Sequence, residues 1–296
     1  MVARAAVYAL ITPLVILVMA GLPLLVSAEI GGFAFDPMAV PRAALVFIQS
    51  AMDGSVFTYK AGFTEWDFRL LGPKFLLVSF LYTALPGAVG IGLGTFAGVA
   101  YRRRRRGFMD RLSDFALATP DFLVIFAVQI AASWIVDAAG FPVAFGGTDG
   151  KIAALPFAMM SVFPFFISYR SAAEASRRVG GEEFITYARA KGLPERLIVR
   201  RHIGAALIPG LEAELPVIIA FMQGSLFIVE KSFSIPGMAK LFFDSAFAGR
   251  RKLLMRAIYQ YNHVVISLLG LAISCVAVYA FLRLALALAR KALTRE

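Results

Sequence analysis

Group-transfer chemistry needs a nucleophile beside a base, and this sequence supplies the residue types without the arrangement. Ser234 and Asp244 lie near each other, but neither of the only two histidines, His202 and His263, is placed beside both. Two histidines so far apart also make a poor metal site. There is no HExxH pair, no G-x-S-x-G elbow and no glycine-rich phosphate loop. The single cysteine, Cys275, sits in an apolar run, which excludes a disulfide framework or a cysteine zinc site within the chain. The unusual ionisable groups are Asp121, Glu212 and Glu214, which stand in or beside long apolar stretches. A charge at the centre of a membrane helix costs on the order of 3 kcal/mol, so such groups either sit at an interface, where Glu212 and Glu214 would pair with Arg200 and Arg201, or contact a solute. The chain reads as non-catalytic, and its chemistry as one of charge and helix faces.

Composition dictates the elements that carry these residues. The chain is 59% hydrophobic with a mean hydropathy of +0.76. Its apolar residues are gathered into continuous runs of about 20, the length of a membrane-spanning helix, without a barrel's alternation. Hydrocarbon tolerates no unpaired backbone groups, so the spans are helices. An all-α integral membrane protein with about six spans follows, over 6–28, 75–100, 118–139, 151–169, 205–229 and 263–289. The N-terminal run, Ala5 to Ala28, is longer than a signal peptide's apolar region and is expected to remain as the first span.

The net charge of +11 lies in the loops beside the spans, as membrane insertion predicts, rather than on a nucleic-acid surface. The Arg102–Arg106 block and the 170–202 loop, with eight arginines or lysines, are expected on the inside. Alternation puts 29–72 and 230–262 outside and both termini in the cytoplasm. Lys231, Lys240, Arg250, Arg251, Lys252 and Arg256 run against that bias for the 230–262 loop. Within it, Ile235–Ala248 is expected as a short amphipathic helix at that face or a partly re-entrant one.

The long inner loop parses as two short helices around a glycine-proline turn, with Gly192 the C-cap of the first and Pro194 in the first turn of the second. Phe184, Tyr187 and Ala188 recur at helical spacing, and Leu193, Leu197 and Ile198 continue the apolar stripe. Arg189, Lys191, Arg196, Arg200, Arg201 and His202 surround it. Such a stripe either rests on lipid or docks onto a partner subunit.

The stretch TYARAKGLPERLIVRRHIGAALIP, Thr186 to Pro209, resembles the cytoplasmic signature of the permeases of binding-protein-dependent ABC importers, in the dipeptide and oligopeptide branch. IVEKSFSIPGMAKLF, Ile228 to Phe242, is similar to that family's E-x-x-F-S-x-P-G block, carried here by Glu230, Phe233, Ser234, Pro236 and Gly237. A fainter likeness is DGSVF, Asp53 to Phe57, before the second span. The branch's acidic-aromatic-proline sequence is replaced by RRKLL at Arg250–Leu254, and the first loop is short.

The resemblance implies an ABC importer permease fold, with a first transmembrane helix over 1–28, an extracytoplasmic loop over 29–72 and a permease transmembrane domain over 73–296. It implies that Phe184 to Arg201 is a coupling helix seated on a separate ATPase subunit. Tyr187, Ala188, Leu193 and Leu197 would dock, Arg189, Lys191 and Arg196 would orient the contact, and Ala190, Glu195, Arg200 and Arg201 belong to the same unit. Glu230 and its block would form an outer gate or receive a solute-binding protein. Met159, Met160, Phe163, Glu212 and Glu214 are candidates for the pathway. The chain would bind no cofactor, ATP and magnesium belonging to two ATPase partners. A second homologous permease, an extracytoplasmic solute-binding protein and a peptide or small solute complete the assembly in a bacterial inner membrane. The competing reading is an ion-coupled secondary transporter using Asp121, Glu212 or Glu214. In span two, Gly90, Gly92, Gly94 and Gly98 are expected to allow close packing, and Pro86, Pro120, Pro156, Pro164 and Pro216 to bend helices.

Overall fold

In the computed structural model, residues 2–29, 32–61, 64–101, 107–139, 154–247 and 259–294 are described. In chain order the elements are α1 (Val2–Gly21), the hairpin β1 (Val26–Glu29) and β2 (Gly32–Phe35), α2 (Ala39–Asp53), the hairpin β3 (Thr58–Ala61) and β4 (Thr64–Asp67), and α3 (Phe68–Tyr101). There follow α4 (Phe108–Ala118), α5 (Asp121–Ala139), α6 (Ala154–Gly180), α7 (Glu183–Ala190), α8 (Glu195–Leu197), a π-helical segment (Ile198–Gly204), α9 (Ala205–Ser232), α10 (Met238–Ala246) and α11 (Tyr261–Thr294). Both hairpins are antiparallel, registered from Val26↔Phe35 to Glu29↔Gly32 and from Thr58↔Asp67 to Ala61↔Thr64.

Among the described residues a helix covers part of each expected span, but the first span, expected over 6–28, is an α-helix only to Gly21 and gives way to the strand β1 at Val26, and the third is broken before Asp121. Among the described residues, Phe68–Tyr101, Glu195–Ser232 and Tyr261–Leu293 are long and apolar enough to cross a membrane, and the pair α4 and α5 makes a fourth if its 109° bend is one broken span. Pro120 explains that bend. The residue before a proline is driven out of the helical region, and Thr119 is extended, at φ −85° and ψ 131°. By contrast α3 runs through Pro86 unbroken, and α6 and α9 retain Pro164, Pro209 and Pro216 inside them.

The chain divides into two compact units, one of Met1–Ser79 with Pro236–Ser274, the other of Phe80–Ile235 with Cys275–Glu296. In the first, Ala20, Tyr261, Val264 and Val265 form a core with Leu17, Ala43 and Phe47. The Tyr261 hydroxyl donates to the Leu17 carbonyl at 2.9 Å, and the Tyr259 hydroxyl to that of Ala20. The helix expected within Ile235–Ala248 is α10, but it does not lie with its apolar face outward. Met238, Ala239 and Leu241 are buried, and the Met238 N–H donates to Ser79 Oγ at 2.8 Å. The Arg250–Leu254 run falls outside the described residues, as does the Arg102–Arg106 block.

In the second unit α6 packs along α9, with the Phe163 and Phe221 rings stacked at 5.7 Å. Of the six glycines of α3, three of the four singled out from the sequence lie against the α6 backbone. A Cβ at Gly90, Gly94 or Gly98 would stand 2.6, 2.2 and 2.5 Å from the carbonyl oxygens of Ser161, Phe165 and Tyr169. Their i, i+4, i+8 spacing makes one continuous face, so the two backbones approach where any side chain would hold them apart. Gly92 is on another face, with open space where its Cβ would be.

Candidate functional site

The inner loop is more helical than its sequence suggested. α6 continues past the expected end of its span to Gly180, and the second short helix is not separate: α8 runs through the π-helical segment into α9 as one 38-residue helix, Glu195–Ser232. Only α7 stands alone, and three restraints fix it.

The first is its C-cap. Gly192 has φ +77°, its N–H donates to the Arg189 carbonyl at 2.9 Å, and the Leu193 N–H donates to the Ala188 carbonyl at 3.2 Å. This is the Schellman arrangement, completed by Leu193 and Ala188 sharing one apolar cluster. A Cβ on Gly192 would meet nothing within 4 Å, so the residue is required for its backbone conformation and not for space within this chain. The second restraint is the Arg189–Glu195 ion pair across the turn, Nε to Oε2 at 3.3 Å. The third is the core itself, where Ile185 and Ala188 are buried with Ala172, Ile198, Ile203 and Leu207.

The expected docking stripe therefore divides. Ala188 faces the chain's own core, Leu193 and Leu197 are half-buried, and Arg189 is committed to Glu195. Turned outward are Phe184, 50% exposed, and Tyr187, 62% exposed, at i and i+3. The Lys191 ammonium lies 4.5 Å from the Tyr187 ring centre, and the Phe184 and His202 rings are 6.1 Å apart. Ala190, Arg196, Arg200 and Arg201 are exposed around them.

At the other end of α9 the chain turns by the same device with a less suitable residue. Ser234 has φ +54°, its N–H donates to the Lys231 carbonyl at 3.4 Å, and the Ile235 N–H donates to that of Glu230 at 2.9 Å. Glu230, Phe233 and Gly237 are buried, Pro236 is half-buried and Ser234 is exposed. Most of the block expected to gate or to meet a binding protein is thus inside the chain. Met159, Met160 and Phe163, expected along a passage, are buried between helices. Glu212 and Glu214 flank the buried Leu211 and Leu215 of α9, are half-buried, and form no ion pair among the described residues. The pairing with Arg200 and Arg201, one of the two fates open to them, is not made, because those arginines lie about three to four turns away along the same helix. The Asp121 side chain falls outside the described residues.

One cluster went unnoticed in the sequence. Asp110 of α4 accepts from the Gly107 N–H at 3.0 Å, the Tyr169 hydroxyl at 3.2 Å and the Arg177 guanidinium at 3.3 Å. α4 precedes the span expected over 118–139 and carries Arg111 and Asp114 beside Asp110. Partial burial pushes the Asp110 carboxyl up, but the Gly107 N–H, Arg177 and Tyr169 outweigh it and hold the group below the ordinary aspartate value. The cluster ties α4 to α6 one turn before α6 hands over to α7.

The model of the binding-protein-dependent transport system inner membrane component family matches residues 90–296. Over 173 residues the chain is 31% identical to the dipeptide transport system permease protein DppB of Bacillus subtilis, covering 57% of this chain and 55% of that one. It is 35% identical over 168 residues to the oligopeptide transport system permease protein OppB of Escherichia coli K12, covering 53% and 51%. With the oligopeptide transport system permease protein AmiC of Streptococcus pneumoniae the identity is 27% over 200 residues, covering 64% and 39%. The chain spans about half the length of the curated relatives it matches.

Proposed function

The chain belongs to the family of binding-protein-dependent transport system inner membrane components, and from that premise we propose that it forms half of the translocation pathway of an importer for peptides or a related small solute. Peptides are named because the relatives are called dipeptide and oligopeptide permeases. The pathway would be completed by a second homologous permease, supplied by an extracytoplasmic solute-binding protein, and driven by two ATPase subunits that hold the ATP and magnesium. Six passes, both termini in the cytoplasm, 29–72 outside and 183–201 inside complete the reading.

The observation that carries it is the outward pair Phe184 and Tyr187 on a helix whose opposite face is locked into the chain's core. Two aromatic side chains on a rigid mount are suited to a pocket on another protein, since aromatic anchors lose little entropy on docking. Because α7 is fixed to the Glu195–Ser232 helix, a displacement at Tyr187 is carried along a rod of about 57 Å toward Glu230. Buried Glu230, Phe233 and Gly237 act in this scheme as the outer gate, and half-buried Glu212 and Glu214 face the passage. Contact with the binding protein is left to exposed groups of 29–72 and to Ser234.

Gentle detergent extraction of the tagged chain from its native membrane, followed by mass spectrometry, tests the reading. ATPase subunits, a second permease and a solute-binding protein are expected. Changing Phe184 and Tyr187 together to Ala is expected to lower ATPase recovery by about tenfold or more, as for two interface anchors. The chain recovered alone, with transport that survives ATP depletion, would replace this reading by ion-coupled transport through the two unpaired glutamates.

A further inference from the structure

We propose that the groove between α3, the first turns of the Glu195–Ser232 helix and the end of α11 holds one anionic phospholipid, with an acyl chain along the groove and the phosphate on Arg196 and Arg200. The cavity volume is about 630 Å³, within the roughly 300–1,000 Å³ of small-molecule sites. Its walls are apolar, with Ile91 and Phe96 from α3, Leu207 and Leu211 from α9, and Leu286 and Leu293 from α11. Each of these three helices is long and apolar enough to cross a membrane, so the surroundings of the groove are lipid and not water. From Arg196 to Leu211 the wall runs about four turns, roughly 22 Å. That matches one leaflet of a hydrocarbon core roughly 30 Å thick together with its head-group layer.

Charge decides what fills it. Arg196 and Arg200 line the mouth, are exposed, and among the described residues have no ion-pair partner. The carboxylate beside them, Glu195, is already held by Arg189 at 3.3 Å. Two guanidinium groups over an apolar slot match a phosphate with a hydrocarbon tail, which they grip by paired charged hydrogen bonds. A zwitterionic head group would bring its own ammonium against them. An apolar helix of a second subunit would fill the slot and leave both arginines unanswered. Gly92 keeps the slot open, since it lines the groove and a Cβ there meets nothing within 4 Å. The site requires α3, α9 and α11 to be in the membrane but does not depend on α7 docking to an ATPase, so either proposal can fail alone.

Native mass spectrometry of the full chain in detergent, titrated with palmitoyl-oleoyl phosphatidylglycerol or the matching phosphatidylcholine, reads the site. One phosphatidylglycerol is expected to fill at about tenfold lower concentration than phosphatidylcholine. Gly92→Leu, which occupies the slot, and the pair R196Q and R200Q are each expected to abolish that preference. Thr95→Leu on the same wall serves if Gly92→Leu does not fold. Equal filling by the two lipids, or a preference that every groove substitution leaves intact, overturns the proposal. In native membranes, p-benzoylphenylalanine in place of Phe96 is expected to crosslink lipid. A crosslink to a second protein would assign the groove to a partner helix and overturn the proposal as well.

Discussion

Gly192, Ser234 and the α3 glycines separate three reasons for a small residue. At Gly192 the constraint is φ +77° with open space around it. Gly192→Val is expected to cost about 1–3 kcal/mol as local strain in the turn, leaving insertion intact. Uptake per ATP hydrolysed, measured in proteoliposomes of the whole complex, should fall, and an unchanged ratio would remove the turn's mechanical role. At Gly94 the constraint is contact, the Phe165 carbonyl oxygen standing 2.2 Å from where a Cβ would be. Gly94→Ala must push two backbones apart and is expected to destabilise by about 1–3 kcal/mol. Gly92→Ala, with nothing in reach, should be neutral or gain up to about 1 kcal/mol in helix propensity. Thermal unfolding of the two variants in one detergent compares them, and equal midpoints would contradict the packing of α3 on α6. Ser234 pays the strain that Gly192 avoids. Relief of its left-handed conformation, about 1–2 kcal/mol, outweighs the roughly 0.5–1 kcal/mol of extra chain entropy that a glycine loses on folding. Ser234→Gly is therefore expected to raise the unfolding midpoint, and a lowered one would mean that the Ser234 hydroxyl makes a compensating contact.

At the scale of elements, the joints between helices were unequally legible. The turn between α7 and α8 could be read because Gly192 and Pro194 act through their own backbones, and local chemistry is what a sequence shows. Which side of α7 faces inward could not. Tyr187 and Ala188 are adjacent, about 100° apart on the helix, and a stripe drawn through both assigned one face to residues that the fold divides between the core and the exterior. The Asp110 clamp was invisible for a different reason, because its partners Tyr169 and Arg177 are 59 and 67 residues away. Nothing local marks such a pairing. Asp110→Ala is expected to cost about 1.5–3 kcal/mol, the value of hydrogen bonds to a charged group, and to loosen α4 from α6. The sign of its pH dependence follows from its lowered pKa. The unfolded chain binds the proton more readily, so the clamp's contribution is complete above the ordinary value of 3.8 and is lost as pH falls through the lower folded value. Stability of the parent relative to Asp110→Asn should be constant from about pH 8 to pH 5 and converge toward that of the variant below about pH 4. A difference that stays constant under acid would assign the clamp to packing instead of charge.

For the whole molecule, the lengths of three helices constrain topology independently of the charge bias that left 230–262 ambiguous. A rod of 38 residues, Glu195–Ser232, is about 57 Å long against a hydrocarbon core of roughly 30 Å. Its ends cannot share a side of the membrane unless it lies flat, which its buried polar face at Glu230 and its apolar wall beside α6 oppose. If the helix crosses, residue 186, before Glu195, and residue 234, just beyond Ser232, face opposite compartments whatever the basic cluster at 250–256 suggests. The Cys275→Ser chain, free of its only cysteine, allows this to be measured with single cysteines at Met52, Thr186 and Ser234. In intact cells an impermeant maleimide is expected to label Met52→Cys and Ser234→Cys and to spare Thr186→Cys, which reacts only after the membrane is opened. Labelling of 186 with protection of 234 would invert the molecule and place the α7 aromatics outside, where no ATPase can reach them. Labelling of both from one side would mean that the Glu195–Ser232 helix does not cross at all, and the lever from Tyr187 to the outer gate would have no membrane to work across.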